Sequence, residues 1–579
     1  MSTVSLTIDG KKVEVPPGTT ILEAAKSANL RIPTLCYLPE VQAIGACRVC
    51  LVEIEGNKNL QASCVFPATD GLVVHTHSKK AQEARKFTVE LLLSAHPQEC
   101  LTCTRNLKCE LQRLAEEMGI REVRFQGEKP KPRMDDSTPS IRRDASKCIL
   151  CRRCVTVCQE IQQVGALSAQ ERGFDTYIGP AFGDELGEAA CALCGQCINV
   201  CPVGALTEKD SIQDVWKAIH DPDKIVVAQD APAVRAALGE EFGLPPGSLV
   251  TGKMLEALRR LGFDVIFDTN FAADLTIIEE GNELLKRVKG GGTLPMITSC
   301  SPGWIKFIEH FYPNLLPHLS TCKSPHQMLG ALAKTYYAKK AGIDPAKMVT
   351  VSIMPCTAKK FECNRPEMRD SGFQDVDYVL TTRELARMIK AAGIDFVNLP
   401  DGRYDDPLRK YTGAATIFGA TGGVMEAALR TVYEVVTGKK LDNVEFMAVR
   451  GLTGVKEATV PIEGLGDVSV AVAHGLGNAR KLMDRLSAGK ANYHFIEVMA
   501  CPGGCVAGGG QPIPVNNEIR KLRAEALYKE DKGLIRKSHE NPSITKIYQE
   551  FLKEPLGEKS HHLLHTKYTR RGKYKEQEG

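Results

Sequence analysis

The sequence predicts a multidomain protein in which small, cysteine-rich α+β domains precede a larger α/β domain. Its 579 residues are enough for several domains. Of its 21 cysteines, most lie between Cys36 and Cys201 and only a few follow. From residue 223 onward, short apolar runs alternate with helical patterns, which is typical of α/β layers with parallel strands.

The composition excludes several classes of function. Apolar residues make up 43% and charged residues 25%, the balance of an ordinary globular protein. A net charge of +4 and an aromatic fraction of 6% give no basis for nucleic-acid binding. The first residues lack the apolar core of a signal peptide, and no apolar run reaches about 18 residues, so we expect no membrane span and a cytoplasmic location. In that reducing compartment, clustered cysteines indicate metal binding rather than disulfides.

Residues 1–78 are predicted to form a ferredoxin-like domain with one [2Fe–2S] cluster. Residues 4–8 and 12–15 alternate as strands around an Asp9-Gly10 hairpin turn, and a helix begins near Thr20. Small residues beside the cysteines let backbone amides approach the cluster sulfurs, although the first cysteine gap is longer than in plant-type ferredoxins. A zinc site is the alternative, but zinc ligands prefer paired short spacings. The four ligands are Cys36, Cys47, Cys50 and Cys64.

Residues 79–125 contain a second group of ligands that follows a predicted helix over 79–94. Its spacing, His-x3-Cys-x2-Cys-x5-Cys, leaves open a Cys3His zinc site or a surface histidine near three cysteines. Both front domains resemble those shared by long hydrogenases and the large iron–sulfur subunit of respiratory complex I. That resemblance implies a [4Fe–4S] cluster with one imidazole ligand. The ligands are His96, Cys100, Cys103 and Cys109.

Two cysteine runs in residues 142–209 form the most specific motif, after a linker rich in proline and charge over 126–141. Each run has the C-x2-C-x2-C-x3-C spacing of bacterial two-cluster ferredoxins, in which the fourth cysteine of each run binds the other cluster. One [4Fe–4S] cluster is therefore assigned to Cys148, Cys151, Cys154 and Cys201. The other is assigned to Cys191, Cys194, Cys197 and Cys158.

Residues 210–525 are predicted to form the α/β catalytic domain. Strands are predicted over 224–229, 264–267, 348–353 and 470–473, and helices over 253–261, 325–341, 382–392 and 423–436. In such folds, sites collect in the loops that follow the carboxyl ends of strands. Cysteine-containing loops occur at 298–304, 354–362 and 497–512.

These three loops look like the three signature loops of [FeFe]-hydrogenases. Segments 231–240, 271–280, 417–430 and 536–542 extend the resemblance, which covers essentially the whole chain. It implies an H-cluster, in which a [4Fe–4S] cube shares a cysteine thiolate with a two-iron unit that carries CO, cyanide and a dithiolate bridge. By this resemblance Cys356, Cys501 and Cys505 bind the cube, and Cys505 also bridges to the two-iron unit.

The resemblance assigns further residues around the cofactor. Lys359 matches a residue that ion-pairs with a cyanide ligand, and Met354 and Met499 match soft apolar contacts with the irons. The first loop departs from the family, because Cys300-Ser301 stands where two adjacent cysteines are usual. The register makes Cys300 the proton relay and puts Ser301 at the cube-ligand position. Iron's preference for thiolate over alkoxide instead favours Cys300 as the ligand, and the sequence leaves both open.

A proton path from the surface is also implied by the resemblance. Three of its residues recur at i, i+3 and i+7, which places them on one face of a helix. A carboxylate there shuttles protons if its pKa lies near the operating pH. An ordinary salt-bridged helix surface is the alternative. The path residues are Glu280, Glu283, Arg287 and Ser320.

The sequence therefore predicts reversible H2 oxidation and proton reduction, with electrons relayed through the clusters to partner subunits. A wire of clusters this long indicates additional subunits, such as a flavin-containing NAD(P)H module, a ferredoxin or a formate dehydrogenase module. No dinucleotide fingerprint is present in a strand–helix context, so we expect pyridine nucleotide to bind elsewhere. The alternatives are an electron-transfer subunit of a complex I-type dehydrogenase and a hydrogenase-like iron–sulfur assembly factor. Residues 526–579 are predicted to form a small-subunit-like C-terminal wrap, with a solvated or partner-facing basic tail over 556–579.

Overall fold

The computed structural model describes residues 3–441 and 443–572. Within them the chain forms five β-sheets, two of which are the core of the large α/β part. The predicted combination of small α+β domains with an α/β domain is confirmed. None of the helices in this described part is both long and apolar enough to cross a membrane.

The first domain is a five-stranded sheet with one helix packed against it. The predicted hairpin is present, with Val4 opposite Val15 and with both Asp9 and Gly10 at positive φ in the turn. Thr20 caps the helix Ile21–Ser27 through a reciprocal pair of hydrogen bonds with Glu23, the arrangement of a capping box. The strands are Val4–Ile8, Lys11–Val15, Leu51–Ile54, Gln61–Ala62 and Val73–His75.

The second and third groups of cysteines lie on short helices and on the loops between them. The helix Lys79–Ala95 ends at His96, and Glu110–Glu117 follows the last cysteine of that group. The two-run domain has two small antiparallel sheets, formed by Met134–Asp135, Ile141–Asp144 and Leu206–Glu208, and by Ser168–Gln170 and Tyr177–Gly179. Its helices are Arg153–Thr156 and Gln196–Val200.

The predicted linker over 126–141 contributes to one of these sheets. Met134–Asp135 pairs with Ile141–Asp144, with Asp135 opposite Arg143. The buried Asp135 carboxylate accepts hydrogen bonds from the Arg143 guanidinium at 3.1 Å and from the Leu186 backbone N–H at 2.9 Å. The end of the segment 126–141 is therefore an ordered part of the two-run domain, although its proline-rich composition predicted a linker.

The α/β part contains two four-stranded sheets. The first is entirely parallel, in the order Val265–Asp268, Ile225–Asp230, Met348–Met354, Tyr378–Thr381. The second has the order Met296–Ile297, Phe495–Met499, Gly466–His474, Val455–Ile462, and only its last pair is antiparallel. The expected parallel pairing is confirmed, and the predicted strand over 470–473 is the end of a longer hairpin.

Helices cover both sheets, as parallel sheets require. The predicted helix over 325–341 is present, but it contains a π-helical turn at Ala333–Tyr337. The α-helices of this part are Ile212–Ile219, Pro232–Arg235, Thr251–Leu261, Thr269–Gly290, Pro302–Phe311, Pro325–Leu332, Ala338–Ala341, Lys359–Glu362, Thr382–Ala391, Gly413–Thr416, Gly423–Thr437 and Leu476–Ser487.

The C-terminal segment packs along the α/β part. Helices Asn517–Lys532, Pro542–Ile547 and Glu558–Leu564 form it, and the first of them crosses the predicted boundary at 525/526. The expectation of a solvated or partner-facing tail is wrong for Leu564 and His565, which are buried against the chain's own core, whereas His561, His562 and Arg570 are exposed. Arg571 also forms an ion pair with Glu309 at 2.6 Å. Residues 573–579 of that predicted tail lie outside the described residues.

Candidate active site

Three loops that follow the carboxyl ends of parallel strands meet at one buried cavity. They begin after the strands Met296–Ile297, Met348–Met354 and Phe495–Met499. The first and third of these strands are neighbours in one sheet, which places their loops side by side, and the second strand brings its loop to the same cavity from the other sheet. Each loop contributes at least one cysteine to the cavity wall: Cys300, Cys356, Cys501 and Cys505.

Three of these thiols form an electrostatically coupled group. Cys501 interacts with both Cys356 and Cys505. Burial raises the pKa of Cys505 to about 12, and it also raises the pKa of Cys356 against the opposing charge of Lys359. Crowded, buried thiols stay protonated on their own, whereas an iron cation displaces their protons and removes the cost of burying charge. This soft donor set fits an iron–sulfur cube.

Cys300 and Ser301 have different neighbours. The Cys300 thiol interacts with Glu280, Cys505 and Lys359, and burial raises its pKa well above the usual value. The Ser301 hydroxyl accepts a hydrogen bond at 3.2 Å from the backbone N–H of Ala500, the residue that precedes Cys501. Ser301 therefore lies against the loop that carries Cys501, while Cys300 lies near both the carboxylate Glu280 and the Cys505 thiol.

Lys359 is held at the cavity by a buried acid–base group. Its Nζ donates to the Cys300 carbonyl oxygen at 3.2 Å and to Glu362 Oε2 at 2.8 Å. Burial alone would raise the pKa of Glu362, but the Lys359 charge and a hydrogen bond with His326 at 2.6 Å outweigh it and lower that pKa to about 2. Burial and the Lys359 charge lower the pKa of His326 to about 4. The Lys359 ammonium is thus held at the wall of an otherwise apolar cavity, a position that fits an anionic ligand.

Both predicted methionines line the cavity. Met354 ends its strand and Met499 ends another, and each is about 2% exposed. Their thioethers give the wall a polarizable, apolar surface that suits a metal carbonyl unit. Phe418 and Ala273 extend this apolar lining.

The glycines of the third loop are required by close backbone contacts. A Cβ on Gly508 would lie 2.0 Å from the Pro355 carbonyl oxygen, and one on Gly509 would lie 2.5 Å from the Cys194 carbonyl oxygen. At Gly504, where φ is +95°, a Cβ would lie 2.7 Å from the Thr421 backbone nitrogen. The third loop is therefore packed backbone against backbone on the second loop and on the ferredoxin-type domain.

We expect Gly508→Ala to separate these loops and to reduce iron binding. The overlap with the Pro355 carbonyl should cost about 3 kcal/mol of stability, because backbone cannot rotate away as a side chain does. Iron content per chain and the thermal midpoint measure both effects. Gly290→Ala is the matched control, since Gly290 has open space around its Cβ position. An unchanged iron content in Gly508→Ala would contradict this packing.

The predicted proton-path residues form a connected chain. Glu280, Glu283 and Arg287 lie on one face of the helix Thr269–Gly290. Ser320 Oγ hydrogen-bonds to Glu283 Oε2 at 3.2 Å and also to Glu280. Burial raises the pKa of Glu280 to about 8, against the opposing Ser320 hydrogen bond. The alternative of a salt-bridged surface fits only the Glu283–Arg287 pair, because both carboxylates are buried.

The cluster assigned to Cys191, Cys194, Cys197 and Cys158 lies beside the cavity. Cys197 interacts electrostatically most with Cys194, Cys191 and Cys158, the thiols of its assigned set, and less with Cys201 of the other set. Cys194 itself lines the cavity, and Cys501 interacts with it. Gln162 links the Cys194 loop to the loop that carries Cys501. Its Nε2 donates to the Ala500 carbonyl oxygen at 2.8 Å and to Cys194 Sγ at 3.4 Å.

The cluster assigned to Cys148, Cys151, Cys154 and Cys201 lies one step further out, where two branches meet. Cys154 interacts with the three other thiols of this set. On one side, Gln42 Nε2 bridges the carbonyl oxygens of Cys36 and Cys151 at 2.9 and 2.8 Å. On the other side, a Cβ on Gly204 would lie only 2.7 Å from Cys103 Sγ.

The two front groups have the donor atoms that the sequence predicted. The Cys36 thiol is hydrogen-bonded to Cys47 and Cys64, and Cys50 is hydrogen-bonded to Cys64. His96 Nδ1 is buried and has no hydrogen-bond partner among the described residues. Burial, helped by two lysine charges, lowers the pKa of His96 to about 4. A neutral imidazole with an unpaired buried nitrogen is ready to bind a metal.

Three residues of the site escaped sequence reasoning. His326 and Glu362 position Lys359, and the buried Glu497 accepts backbone N–H bonds from Gly422 and Met425 at 2.6 and 2.7 Å. Glu497 thereby fixes the start of the helix Gly423–Thr437, beside the apolar wall. Glu362 and Glu497 lie within the predicted loops, but His326 has no motif that would have revealed it.

Five family models match successive segments of the chain. Residues 224–509 match the family described as iron only hydrogenase large subunit, C-terminal domain, and residues 517–571 match iron hydrogenase small subunit. Residues 1–79 match a 2Fe-2S iron-sulfur cluster binding domain. Residues 85–124 match an NADH-ubiquinone oxidoreductase-G iron-sulfur binding region, and 138–207 match the ferredoxin-like domain of NADH-quinone oxidoreductase subunit 3.

Individual relatives agree with these matches. The chain is 54% identical to NADP-reducing hydrogenase subunit HndD of Solidesulfovibrio fructosivorans over 99% of this chain and all of that protein. It is 43% identical to iron hydrogenase 1 of Clostridium pasteurianum over 97% and 99% of the two chains. The solved structure of a variant of [FeFe]-hydrogenase HydA1 from Chlamydomonas reinhardtii aligns with 63% of this chain and all of its own, with a TM-score of 0.57 and 45% identity.

Iron–sulfur domains that lead to a buried, thiol-lined cavity define an iron–sulfur oxidoreductase with an internal reaction site. The cavity is formed by the three loops on which the sequence resemblance depends. With relatives of this similarity along its full length, the chain belongs to the [FeFe]-hydrogenase family.

Proposed function

We propose that this protein catalyses reversible oxidation of H2 and reduction of protons at an H-cluster. The observation that carries the proposal is the convergence of the three cysteine loops on one buried cavity, with Lys359 and two methionines in its wall. The relatives named above are hydrogenases, which supports the same activity here.

The proposed cofactor set is one [2Fe–2S] cluster, three [4Fe–4S] clusters, and an H-cluster made of a further [4Fe–4S] cube and a two-iron unit. Cys356, Cys501 and Cys505 would hold the cube, with Cys505 as the bridge. Ser301 lies against the loop of Cys501 and is proposed at the fourth ligand position. Cys300, which faces Glu280 instead, is proposed as the proton relay.

When bound, the two-iron unit supplies the hydride chemistry, and the chain supplies position, charge and protons. Lys359 holds the unit by its charge, while the apolar wall formed by Met354, Met499 and Phe418 excludes water. Cys300 passes a proton between the reaction site and Glu280. Glu280 holds that proton near neutral pH because burial raises its pKa to about 8, and Ser320 and Glu283 carry it outward.

Electrons are proposed to travel through the clusters in the order in which their loops adjoin. The inner ferredoxin cluster would exchange electrons with the cube across the space between Cys194 and Cys501, which line the same cavity and interact electrostatically. The outer cluster would divide the route between the His96 cluster and the [2Fe–2S] cluster. The His96 cluster and the [2Fe–2S] cluster would each be able to pass electrons to a partner subunit. We propose that the partners are drawn from a flavin-containing NAD(P)H module, a ferredoxin and a formate dehydrogenase module, and that the protein works in the cytoplasm.

The two alternatives explain only part of the molecule. A complex I-type electron-transfer subunit accounts for residues 85–207, which match regions of such enzymes, but it gives the cavity no purpose. An iron–sulfur assembly factor has no need for a chain of buried acids that ends at Cys300. The connected Glu280–Ser320–Glu283 path therefore favours catalysis.

Infrared spectroscopy of the protein loaded with the two-iron unit tests the proposal. We expect stretching bands from iron-bound CO and cyanide, and H2 evolution with a reduced viologen. Cys505→Ala should lose these bands while the electron paramagnetic resonance signals of the front clusters remain. Absence of the bands from the loaded wild-type protein would overturn the proposal.

A further inference from the structure

Glu283 is the outermost carboxylate of the proton path, and its two outward neighbours differ in chemistry. On one side, the Arg287 guanidinium donates to Glu283 Oε1 at 2.6 Å. On the other, Thr321 Oγ1 donates to Glu283 Oε2 at 3.1 Å. These two contacts are the candidate links between Glu283 and the solvent side of the path.

Arg287 is built as an anchor. Its guanidinium also donates to backbone carbonyl oxygens of the 317–319 turn, at 3.3 Å to Pro317, 3.2 Å to His318 and 2.7 Å to Leu319. A guanidinium stays protonated at any working pH and has no acceptor atom. It fixes the position of the Glu283 carboxylate but cannot take up and release a proton.

Thr321 continues instead to a histidine from the C-terminal segment. Its hydroxyl lies 2.7 Å from His565 Nδ1, and His565 Nε2 lies 3.2 Å from Glu279 Oε2. The Glu279 carboxylate is completely buried and also accepts hydrogen bonds from the Tyr548 hydroxyl at 2.5 Å and from the Leu556 backbone N–H at 2.9 Å. A fixed carboxylate on one ring nitrogen leaves the other nitrogen to exchange a proton with Thr321.

The row ends at the surface. The ring of His561, an exposed residue, stacks on His565 with centroids 4.7 Å apart and planes 7° apart. The charged or titratable groups around the two rings are Glu279, Glu283, Lys286, Cys322 and Tyr548. An imidazole ring has two nitrogens, one of which can accept a proton while the other donates one, so two adjacent rings suit proton exchange with solvent.

We propose that His565 and Thr321 form the outlet of the proton path, that His561 serves it at the surface, and that Arg287 is a positioning residue. The inference rests on the proposed hydrogenase function. In the inward direction, the His565 imidazolium gives its Nδ1 proton to Thr321 Oγ1, and Thr321 gives its own hydroxyl proton to Glu283. His565 is left neutral and regains a proton from water beside His561. H2 oxidation runs the same transfers in reverse.

The test uses the loaded full-length protein and three variants. His565→Gln keeps hydrogen-bonding groups near Thr321 and Glu279 but cannot relay a proton. His561→Ala removes only an exposed ring, so it stays informative if His565→Gln folds poorly. His562→Gln is the matched control, because His562 is an exposed neighbour outside the row.

Two readouts are needed. The first is the pH profile of H2 evolution. The second needs no turnover: it is the rate at which the infrared band of the protonated Glu280 carboxyl shifts after the protein is mixed with D2O. We expect His565→Gln to slow both by about tenfold or more. His561→Ala should slow them less, and free imidazole should restore its rate. His562→Gln should match the wild type.

Equal rates in His565→Gln and the wild type at every pH would overturn the outlet, and so would equal slowing in His562→Gln. The CO and cyanide bands separate this result from failure of the proposed function. If the bands are present and the loaded wild-type protein evolves H2, only the outlet is in question.

Discussion

Cys300→Ala is expected to lower H2 evolution by about 100-fold or more while the cofactor remains bound. The Cys300 thiol is the cavity cysteine that interacts with Glu280, so its loss breaks the last proton step. Cys501, by contrast, interacts with Cys356 and Cys505, the two other thiols proposed to hold the cube. Infrared bands of CO and cyanide, together with iron content, measure cofactor retention independently of turnover.

Variants of Ser301, compared with Cys300→Ala, decide which of the two residues occupies the cube-ligand position in the first loop. If Ser301 occupies the fourth cube position, Ser301→Ala should change the magnetic resonance signal of the cube, and Ser301→Cys should restore a full thiolate set. Cys300→Ala should leave that signal unchanged. Loss of the cube from Cys300→Ala, with an unchanged cube in Ser301→Ala, would instead make Cys300 the ligand and leave the relay without its proposed last member.

The front of the molecule was predictable because its chemistry is local in sequence. Cysteines spaced two apart determine which thiols share a cluster, and the crossed assignment of Cys158 and Cys201 agrees with their electrostatic neighbours. The strand that leads to the second cavity loop, Met348–Met354, was also predictable, because a buried parallel strand appears as a short apolar run. Met296–Ile297 and Phe495–Met499, which lead to the other two loops, were not predicted. Val455–Ile462 escaped prediction because it is an edge strand with a half-exposed, partly charged pattern and Pro461 near its end.

What the sequence did not reveal depends on pairings across the fold. His326 reaches Glu362 from another helix, and nothing in the local pattern around either residue indicates the contact. The basic composition of the C-terminal tail predicts a solvated segment, yet Leu564 and His565 fill a gap beside Cys322. The burial of His565 depends on its contact with the strand bridge at Cys322, which only the three-dimensional structure shows.

Glu280→Gln is expected to lower turnover by about 100-fold and to remove the alkaline decline of H2 evolution. In the wild type, burial raises the pKa of Glu280 to about 8, so the carboxyl carries its proton below that pH and loses it above. Proton delivery should therefore fall as pH rises through about 8. Glutamine accepts and donates hydrogen bonds but cannot ionise, which removes both the relay and its titration. Rates measured from about pH 6 to about pH 10 test this, since those limits lie about two units on either side of that pKa.

Stability distinguishes a broken relay from a damaged fold. Because folding raises the pKa of Glu280 from 4.5 to about 8, this residue's contribution to stability is complete below the lower value and is lost as pH rises through the higher one. Glu280→Gln has no such loss, so its thermal midpoint at alkaline pH should equal or exceed that of the wild type. Glu280→Asp keeps an ionisable group and should retain part of the rate together with a pH-dependent decline. A Glu280→Gln enzyme with wild-type turnover would show that protons bypass this carboxyl, because glutamine in its place can neither take up nor release a proton.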